Sequence, residues 1–94
     1  MPNVTLYNPT TEAEISSLPS ATVEETDAAI AKAKAAGPVW RGIAPADRAR
    51  LMRRYADVIA DHAQELGEME TRNMGMTIGN SVWCAQNASN VMHY

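Results

Sequence analysis

A long stretch of helical periodicity in the middle of the sequence constrains the fold more than any other feature. Because an α-helix turns once in 3.6 residues, side chains at alternating spacings of three and four share one face. Large side chains follow that rule over about five turns: Met52, Tyr55, Ile59, His62, Leu66 and Met69. Pro45 suits the first position of such a helix. We therefore predict one continuous helix over residues 45–71.

Signals at both ends predict another helix over residues 22–36. Thr22 offers a hydroxyl N-cap, and Glu25 follows it at the spacing of a capping box. Gly37-Pro38 comes directly after the alanine-rich segment, and this pair commonly ends a helix. An alanine-rich helix lets a neighbour approach closely, so we expect a bulky side chain to cover it, with Trp40 the nearest.

The first residues predict a β-hairpin over residues 3–18. Val4 and Leu6 alternate with outward-facing neighbours, with the period of two that a half-buried strand shows. Asn8-Pro9 interrupts the alternation, since proline restricts both itself and the residue before it. A weaker second strand runs to Leu18. Two strands alone are marginal in water, so the hairpin needs a surface to pack on.

The last part of the sequence predicts a helix over residues 77–94. Its apolar stripe consists of Ile78, Val82, Ala85 and Met92, and Trp83 lies beside it. No capping residue or glycine follows, so we expect this helix to belong to a longer polypeptide. The predicted fold class is mainly α, with a short N-terminal β-hairpin and about three helices.

Composition limits the functions open to this chain. Its 94 residues can form one domain with a thin core. A net charge of −3 is too mild to attract nucleic acid or an anionic membrane by itself, and no stretch is long and apolar enough to span a bilayer. A single cysteine excludes an internal disulfide and suits a reducing compartment. We therefore expect a cytoplasmic location and neither nucleic-acid nor membrane partners.

Few residues could carry chemistry. Cys84 is a candidate nucleophile, but no histidine or cation lies near it in the sequence to activate it, which favours a buried structural thiol. His62 and His93 lie far apart without ligands at metal-binding spacing, so His62 is predicted to be a core or interface residue. Glu68 and Glu70, two apart on a helix, point in different directions and do not form an acid–base pair.

One basic cluster consists of Arg41, Arg48, Arg50, Arg53 and Arg54. Arginines can contact phosphates. The same predicted helix also carries Asp57, Asp61, Glu65 and Glu68, which largely cancel its field beyond a Debye length. A solvated face with ion pairs is therefore favoured over a nucleic-acid surface. From the residues alone we predict no catalytic residue, no cofactor-binding residue and no metal ligand.

The order of short motifs resembles the start of aldehyde dehydrogenases. Asn8-Pro9-Thr10-Thr11 is similar to the Asn-Pro-Ala-Thr turn of that family, and Trp40-Arg41 follows the first helix as it does there. Pro45-Ala46-Asp47-Arg48 resembles the start of the family's next helix, and Glu70-Thr71-Arg72-Asn73-Met74-Gly75 its Glu-x-x-Asn/Asp-x-Gly loop. The resemblance covers essentially the whole chain. One departure is Glu12, which stands where the family's turn usually has glycine.

The resemblance implies that residues 1–94 are the N-terminal segment of an NAD(P)-dependent aldehyde dehydrogenase, part of its α/β Rossmann-like cofactor-binding domain. Such an enzyme is a dimer or tetramer that oxidises aldehydes to carboxylic acids with NAD or NADP. The family's catalytic cysteine, glutamate and asparagine, and its cofactor motif, lie in later segments, and Cys84 does not occupy the nucleophile's place. We therefore expect an inactive segment that binds no cofactor itself and whose partner is the remainder of the parent enzyme.

A second class of function stays open. The chain could be a small self-associating helical protein-interaction module without enzymatic activity, with the stripe from Met52 to Met69 as its binding surface. Either way, we expect the separate segment to self-associate through apolar helix faces that nothing else covers.

Overall fold

The computed structural model describes residues 2–94, which form a two-stranded hairpin followed by four helices. The elements are β1 (Asn3–Tyr7), β2 (Glu14–Pro19), α1 (Val23–Gly42), α2 (Pro45–Asp61), α3 (Ala63–Met74) and α4 (Ile78–His93). The predicted fold class, mainly α with a short N-terminal β-hairpin, is confirmed. Two predicted helix boundaries are wrong. Helix α1 continues through residues 37–38, and the single helix predicted over residues 45–71 is interrupted at residue 62.

The hairpin is antiparallel and closes through a turn held by one asparagine side chain. Val4 lies opposite Leu18 in the register, and a bulge falls between Leu6 and Tyr7. The Asn8 side-chain oxygen accepts hydrogen bonds from the backbone N–H groups of Thr10 and Thr11 at 2.9 and 3.3 Å. An asparagine that bonds the backbone two residues on is typical of a turn, which explains why the alternation ends there.

Helix α1 begins as predicted and ends later than predicted. The Thr22 hydroxyl accepts from the Glu25 N–H at 3.1 Å, and the Glu25 carboxylate accepts from the Thr22 N–H at 2.9 Å. The predicted stop at Gly37-Pro38 is wrong, since the helix continues to Gly42 with Pro38 inside it. Gly37 does not adopt a positive φ, so it does not form the left-handed cap that ends a helix at glycine.

The expectation that Trp40 covers α1 is also wrong. Trp40 lies within α1 itself and is 40% exposed, and no residue between Val23 and Gly42 is buried. The large apolar side chains of Val23, Ile30 and Val39 in α1 are exposed as well. The helix therefore lies on the outside of the molecule.

The predicted single helix over residues 45–71 is divided at His62 into α2 and α3. His62 has φ −106° and ψ 12°, outside the helical range. Its ring Nδ1 donates to the Val58 carbonyl at 2.8 Å, and its backbone N–H donates to Ile59 at 3.1 Å. A histidine ring that bonds a last-turn carbonyl favours a helix end. His62 is exposed, so of its two predicted places, core or interface, the core is excluded.

The molecule is one layer thick. Its principal extents are 49 × 36 × 14 Å, and 14 Å is close to the diameter of one helix with its side chains. The radius of gyration is 17.3 Å, against about 12 Å for a compact chain of this length. Among the described residues, those that are buried are all small: Ala56, Ala63, Gly67, Ser81 and Ser89. The chain thus has a narrow packed seam between helices and no second layer over it.

Candidate interaction surface

Helix α4 packs against α2 and α3 along a seam of small residues. A Cβ atom at Gly67 would lie 2.8 Å from the Val82 nitrogen and 3.0 Å from its Cα, so the two backbones are in direct contact. The buried Ser89 hydroxyl donates to the Ala56 carbonyl at 2.7 Å. Small side chains let helices approach closely. The buried Ser89 hydroxyl still has a hydrogen-bond partner, because it donates to a backbone carbonyl of the neighbouring helix. This seam, which we call the helix seam, fixes the three helices side by side.

An open groove of about 530 Å³ runs between the three helices on one side of the helix seam. Most of its lining is apolar or small, and its members are Tyr55, Ile59, Leu66, Met69, Glu70, Asn73, Ser81, Cys84, Ala85 and Ala88. Glu70 is the one lining residue with a carboxylate. We call the apolar part of this surface, formed by Tyr55, Ile59, Leu66, Met69, Cys84, Ala85 and Ala88, the apolar face.

The hairpin extends the apolar face at one end. A second groove of about 430 Å³ separates the hairpin from α3 and is lined by Leu6, Ile15, Ser16, Leu18, Met69, Arg72 and Asn73. The two grooves share Met69 and Asn73. A single apolar surface therefore runs from the hairpin across α3 to α2 and α4, with Met69 in its middle.

The apolar face is largely accessible to solvent. Tyr55 is 57% exposed, Met69 46% and Leu66 40%. Four residues of the predicted stripe line this groove, and none of them is buried: Tyr55, Ile59, Leu66 and Met69. Monomeric soluble proteins rarely leave so many neighbouring large apolar side chains exposed, and such a patch marks an interaction site.

The residues that form the helix seam were missed by the sequence argument. Ala56, Ala60, Ala63 and Gly67 recur at spacings of four, three and four, beside the larger stripe. A search for small residues at helical spacing would have found them. A stripe of large side chains does not reveal them, because close backbone approach selects the smallest side chains here.

Cys84 lies on the apolar face, and its predicted burial is wrong. Its thiol is free and exposed in the groove. In α4 the positions that face α2 and α3 are Ser81 and Ser89, and Cys84 is turned by roughly 60° from Ser81 toward the groove. The cysteine therefore belongs to the open surface and not to the helix seam.

The arginine cluster divides into different roles. Arg48 donates from one guanidinium nitrogen to the carbonyls of Arg41 and Ile43, at 3.2 and 3.1 Å, and so joins the end of α1 to α2. Arg50 forms an exposed ion pair with Asp47 at 2.9 Å. At least two of the five arginines thus have partners within the chain.

Charged and polar groups on the other side of the helix seam bond with one another. Asp57 follows the buried Ala56, so it is turned about 100° around α2, and its carboxylate accepts from His93 Nε2 at 3.0 Å.

In residues 2–94 no three side chains of the metal-binding types come together. The same range contains no helix with the length and hydropathy needed to cross a membrane.

The fold and the apolar face define a single-layer helical segment that starts with a β-hairpin. The model of the aldehyde dehydrogenase family matches residues 2–94. The chain therefore belongs to the aldehyde dehydrogenase family and corresponds to its N-terminal segment.

Curated relatives agree with this membership. Phenylacetaldehyde dehydrogenase of Pseudomonas fluorescens is 36% identical over 72 residues, which are 74% of this chain. Betaine aldehyde dehydrogenase of Rhizobium etli (strain CIAT 652) is 36% identical over 74 residues, 79% of the chain. The human mitochondrial acylating methylmalonate-semialdehyde/malonate-semialdehyde dehydrogenase is 32% identical over 78 residues, 83% of the chain. The aligned part is 14% of the first relative's length and 15% of the other two.

Proposed function

We propose that this chain is the N-terminal scaffold of an NAD(P)-dependent aldehyde dehydrogenase that oxidises aldehydes to carboxylic acids. Family membership supports the reaction class, and the relatives are named as aldehyde or semialdehyde dehydrogenases. The observation that carries the scaffold role is the apolar face, which lies open along a layer only 14 Å thick. A domain needs at least two layers to enclose a core, and the remainder of the parent enzyme is the second layer in this proposal.

The chemistry is assigned to the remainder of the parent enzyme. NAD or NADP is bound there and accepts a hydride from the substrate. The role of this chain is to bury its apolar face against that remainder, with the helix seam holding α2, α3 and α4 at fixed positions. The geometry of the seam suits this role, because the Gly67–Val82 contact leaves the two helices little freedom to slide.

A chimera tests the scaffold role. The matching segment of the Pseudomonas phenylacetaldehyde dehydrogenase is replaced by this chain, and formation of NADH is followed with phenylacetaldehyde. We expect the chimera to be soluble and active, and the separate chain to give no turnover. Substitution Met69→Lys places a charge in the middle of the apolar face, so it should lower the yield of active chimera. Gln64→Lys, an exposed change in the same helix, is the matched control and should leave the yield unchanged.

Two outcomes would contradict the proposal. Cys84 and Glu70 line the same groove, so turnover by the separate chain that is lost in a Cys84→Ala variant would place the active site here. An inactive chimera, with the separate chain still forming stable complexes through the apolar face, would favour the interaction-module alternative.

A further inference from the structure

Two ionised side chains of opposite sign lie on either side of Met69. Glu70 lines the larger groove, Arg72 lines the groove between the hairpin and α3, and Met69 lines both. We propose that the surface of the parent enzyme that covers the apolar face carries a basic side chain opposite Glu70 and an acidic side chain opposite Arg72. This inference rests on the proposed function, because it requires that the remainder of the enzyme covers the face.

The geometry of α3 places the two charges apart. Glu70 follows Met69 by one residue and Arg72 follows it by three, so around the helix axis Glu70 is turned about 100° one way and Arg72 about 60° the other. Glu70 therefore lies toward α2 and α4, and Arg72 lies toward the hairpin. Because the Met69 side chain lies between them, each charge needs a partner of its own.

The chain itself provides neither partner. Between residues 2 and 94, no ion pair and no side-chain hydrogen bond involves Glu70 or Arg72. Glu68 lies four residues before Arg72, which is the spacing of a helical ion pair, but its carboxylate accepts from Gln64 at 3.1 Å. Glu70 and Arg72 are both exposed, so water solvates them while the face is open.

A layer that covers the face takes this water away. An ionised side chain that is moved out of water without a partner of opposite sign is strongly destabilising. A cover without charges would leave both Glu70 and Arg72 unpaired, and a cover with the two signs exchanged would repel both. The favourable cover is therefore apolar over Met69, basic beside Glu70 and acidic beside Arg72, and these two signs also determine its orientation on the face.

Charge reversal in the whole parent enzyme tests the proposal, with the yield of soluble enzyme as the measurement. Glu70→Arg and Arg72→Glu should each lower that yield roughly tenfold or more, because each places two like charges together in the covered interface. The matched controls are Glu68→Arg and Lys34→Glu, since neither Glu68 nor Lys34 lines either groove. Both controls should keep the yield of the unmodified enzyme.

Second-site changes then identify the partners. Suppressors of Arg72→Glu should replace an acidic residue outside residues 1–94, and suppressors of Glu70→Arg should replace a basic one. Suppressors that change no charge outside residues 1–94 would overturn the proposal. The double variant Glu70→Arg with Arg72→Glu should give no more soluble enzyme than the single variants. A restored yield would show that the two charges pair with a second copy of this chain, and would also overturn the proposal.

Met69→Lys in the same enzyme separates this inference from the proposed function. If Met69→Lys lowers the soluble yield while both reversals behave like their controls, the face is covered without complementary charges, and this inference alone fails. If Met69→Lys leaves the yield unchanged, the remainder of the enzyme does not cover the face, and the proposed function fails together with this inference.

Discussion

The backbone of Gly67 in α3 lies directly against the backbone of Val82 in α4. A Cβ atom at position 67 would come within 2.8 Å of the Val82 nitrogen and 2.6 Å of one of its methyl carbons. Both distances are far below the separation at which non-bonded heavy atoms attract each other. This contact determines how closely the two helices approach, and with it the position of the groove beside them.

Gly67→Ala should therefore destabilise the chain although it adds only one methyl group. The neighbouring atoms include backbone, which cannot turn aside as a flexible side chain can, so α3 and α4 must separate. We expect the free energy of unfolding to fall by about 1 to 3 kcal/mol, measured by urea denaturation at one fixed protein concentration. Gly79→Ala is the control, because a Cβ there meets nothing within 4 Å. That variant should be neutral or more stable by up to about 1 kcal/mol.

Ser89→Ala should weaken the same seam at its other end. The Ser89 hydroxyl donates to the Ala56 carbonyl at 2.7 Å inside the protein, and alanine removes that bond. We expect a loss of about 1 kcal/mol in the free energy of unfolding. Asn90→Ala, an exposed change in the next position of α4, should cause no loss. An equal effect of both substitutions would show that the buried hydrogen bond of Ser89 makes no measurable contribution.

Arg48→Met should loosen the connection between α1 and α2. The guanidinium of Arg48 bonds the carbonyls of Arg41 and Ile43 at the end of α1, and no residue of α1 is buried. We expect faster amide hydrogen exchange in the last turn of α1, equivalent to about 1 to 2 kcal/mol of local stability. Arg48→Lys should recover only part of the protection, since one ammonium group lacks the planar fork of arginine.

Arg50→Met provides the comparison for Arg48. Arg50 lies two residues after Arg48 in the same helix and forms an ion pair with Asp47. Its side chain is 79% exposed. Exposed pairs of this kind contribute at most about 1 kcal/mol. Exchange in α1 should therefore be unaffected, and a matching increase in the Arg50 variant would contradict the assigned role of Arg48.

Glu12→Gly should stabilise the hairpin. Glu12 has φ +61°, in the left-handed region that disfavours residues with a Cβ. Glycine relieves that strain but loses more chain entropy on folding, which leaves a net gain of up to about 1 kcal/mol. Glu14→Gly, two residues on in β2, removes a side chain from extended backbone and should be destabilising by about 0.5 to 1 kcal/mol. A loss of stability in both variants would disprove the strain at Glu12.

The sequence alone identifies Glu12 as unusual, because the resembled family usually has glycine at that position. The positive φ of Glu12 gives the physical reason, since glycine adopts this backbone conformation without strain. The capping box at Thr22 and the turn at Asn8 were also predicted, and both formed. These features depend on residues two or three apart. Their hydrogen bonds form locally and do not require the rest of the fold.

The two helix ends that were predicted wrongly have different causes. Gly37-Pro38 is a local stop signal, yet α1 continues, and the carbonyls at its true end are bonded by Arg48 from the next helix. The division at His62 interrupts a stripe whose spacing is uniform on both sides. Periodicity shows which side chains share a face. It does not show that the ring nitrogen of His62 donates a hydrogen bond to a backbone carbonyl of the preceding turn.

By itself, then, the sequence determined the hairpin, the helical stretches, the apolar stripe and the resemblance to aldehyde dehydrogenases, because each is written in residues close together along the chain. The tertiary structure alone decided that small residues and not the large stripe form the seam, and that the stripe and Cys84 lie open beside it. The close approach of α4 to both α2 and α3 selects small residues at Gly67, Ser81 and Ser89. The larger side chains are thereby left on an exposed face beside the seam.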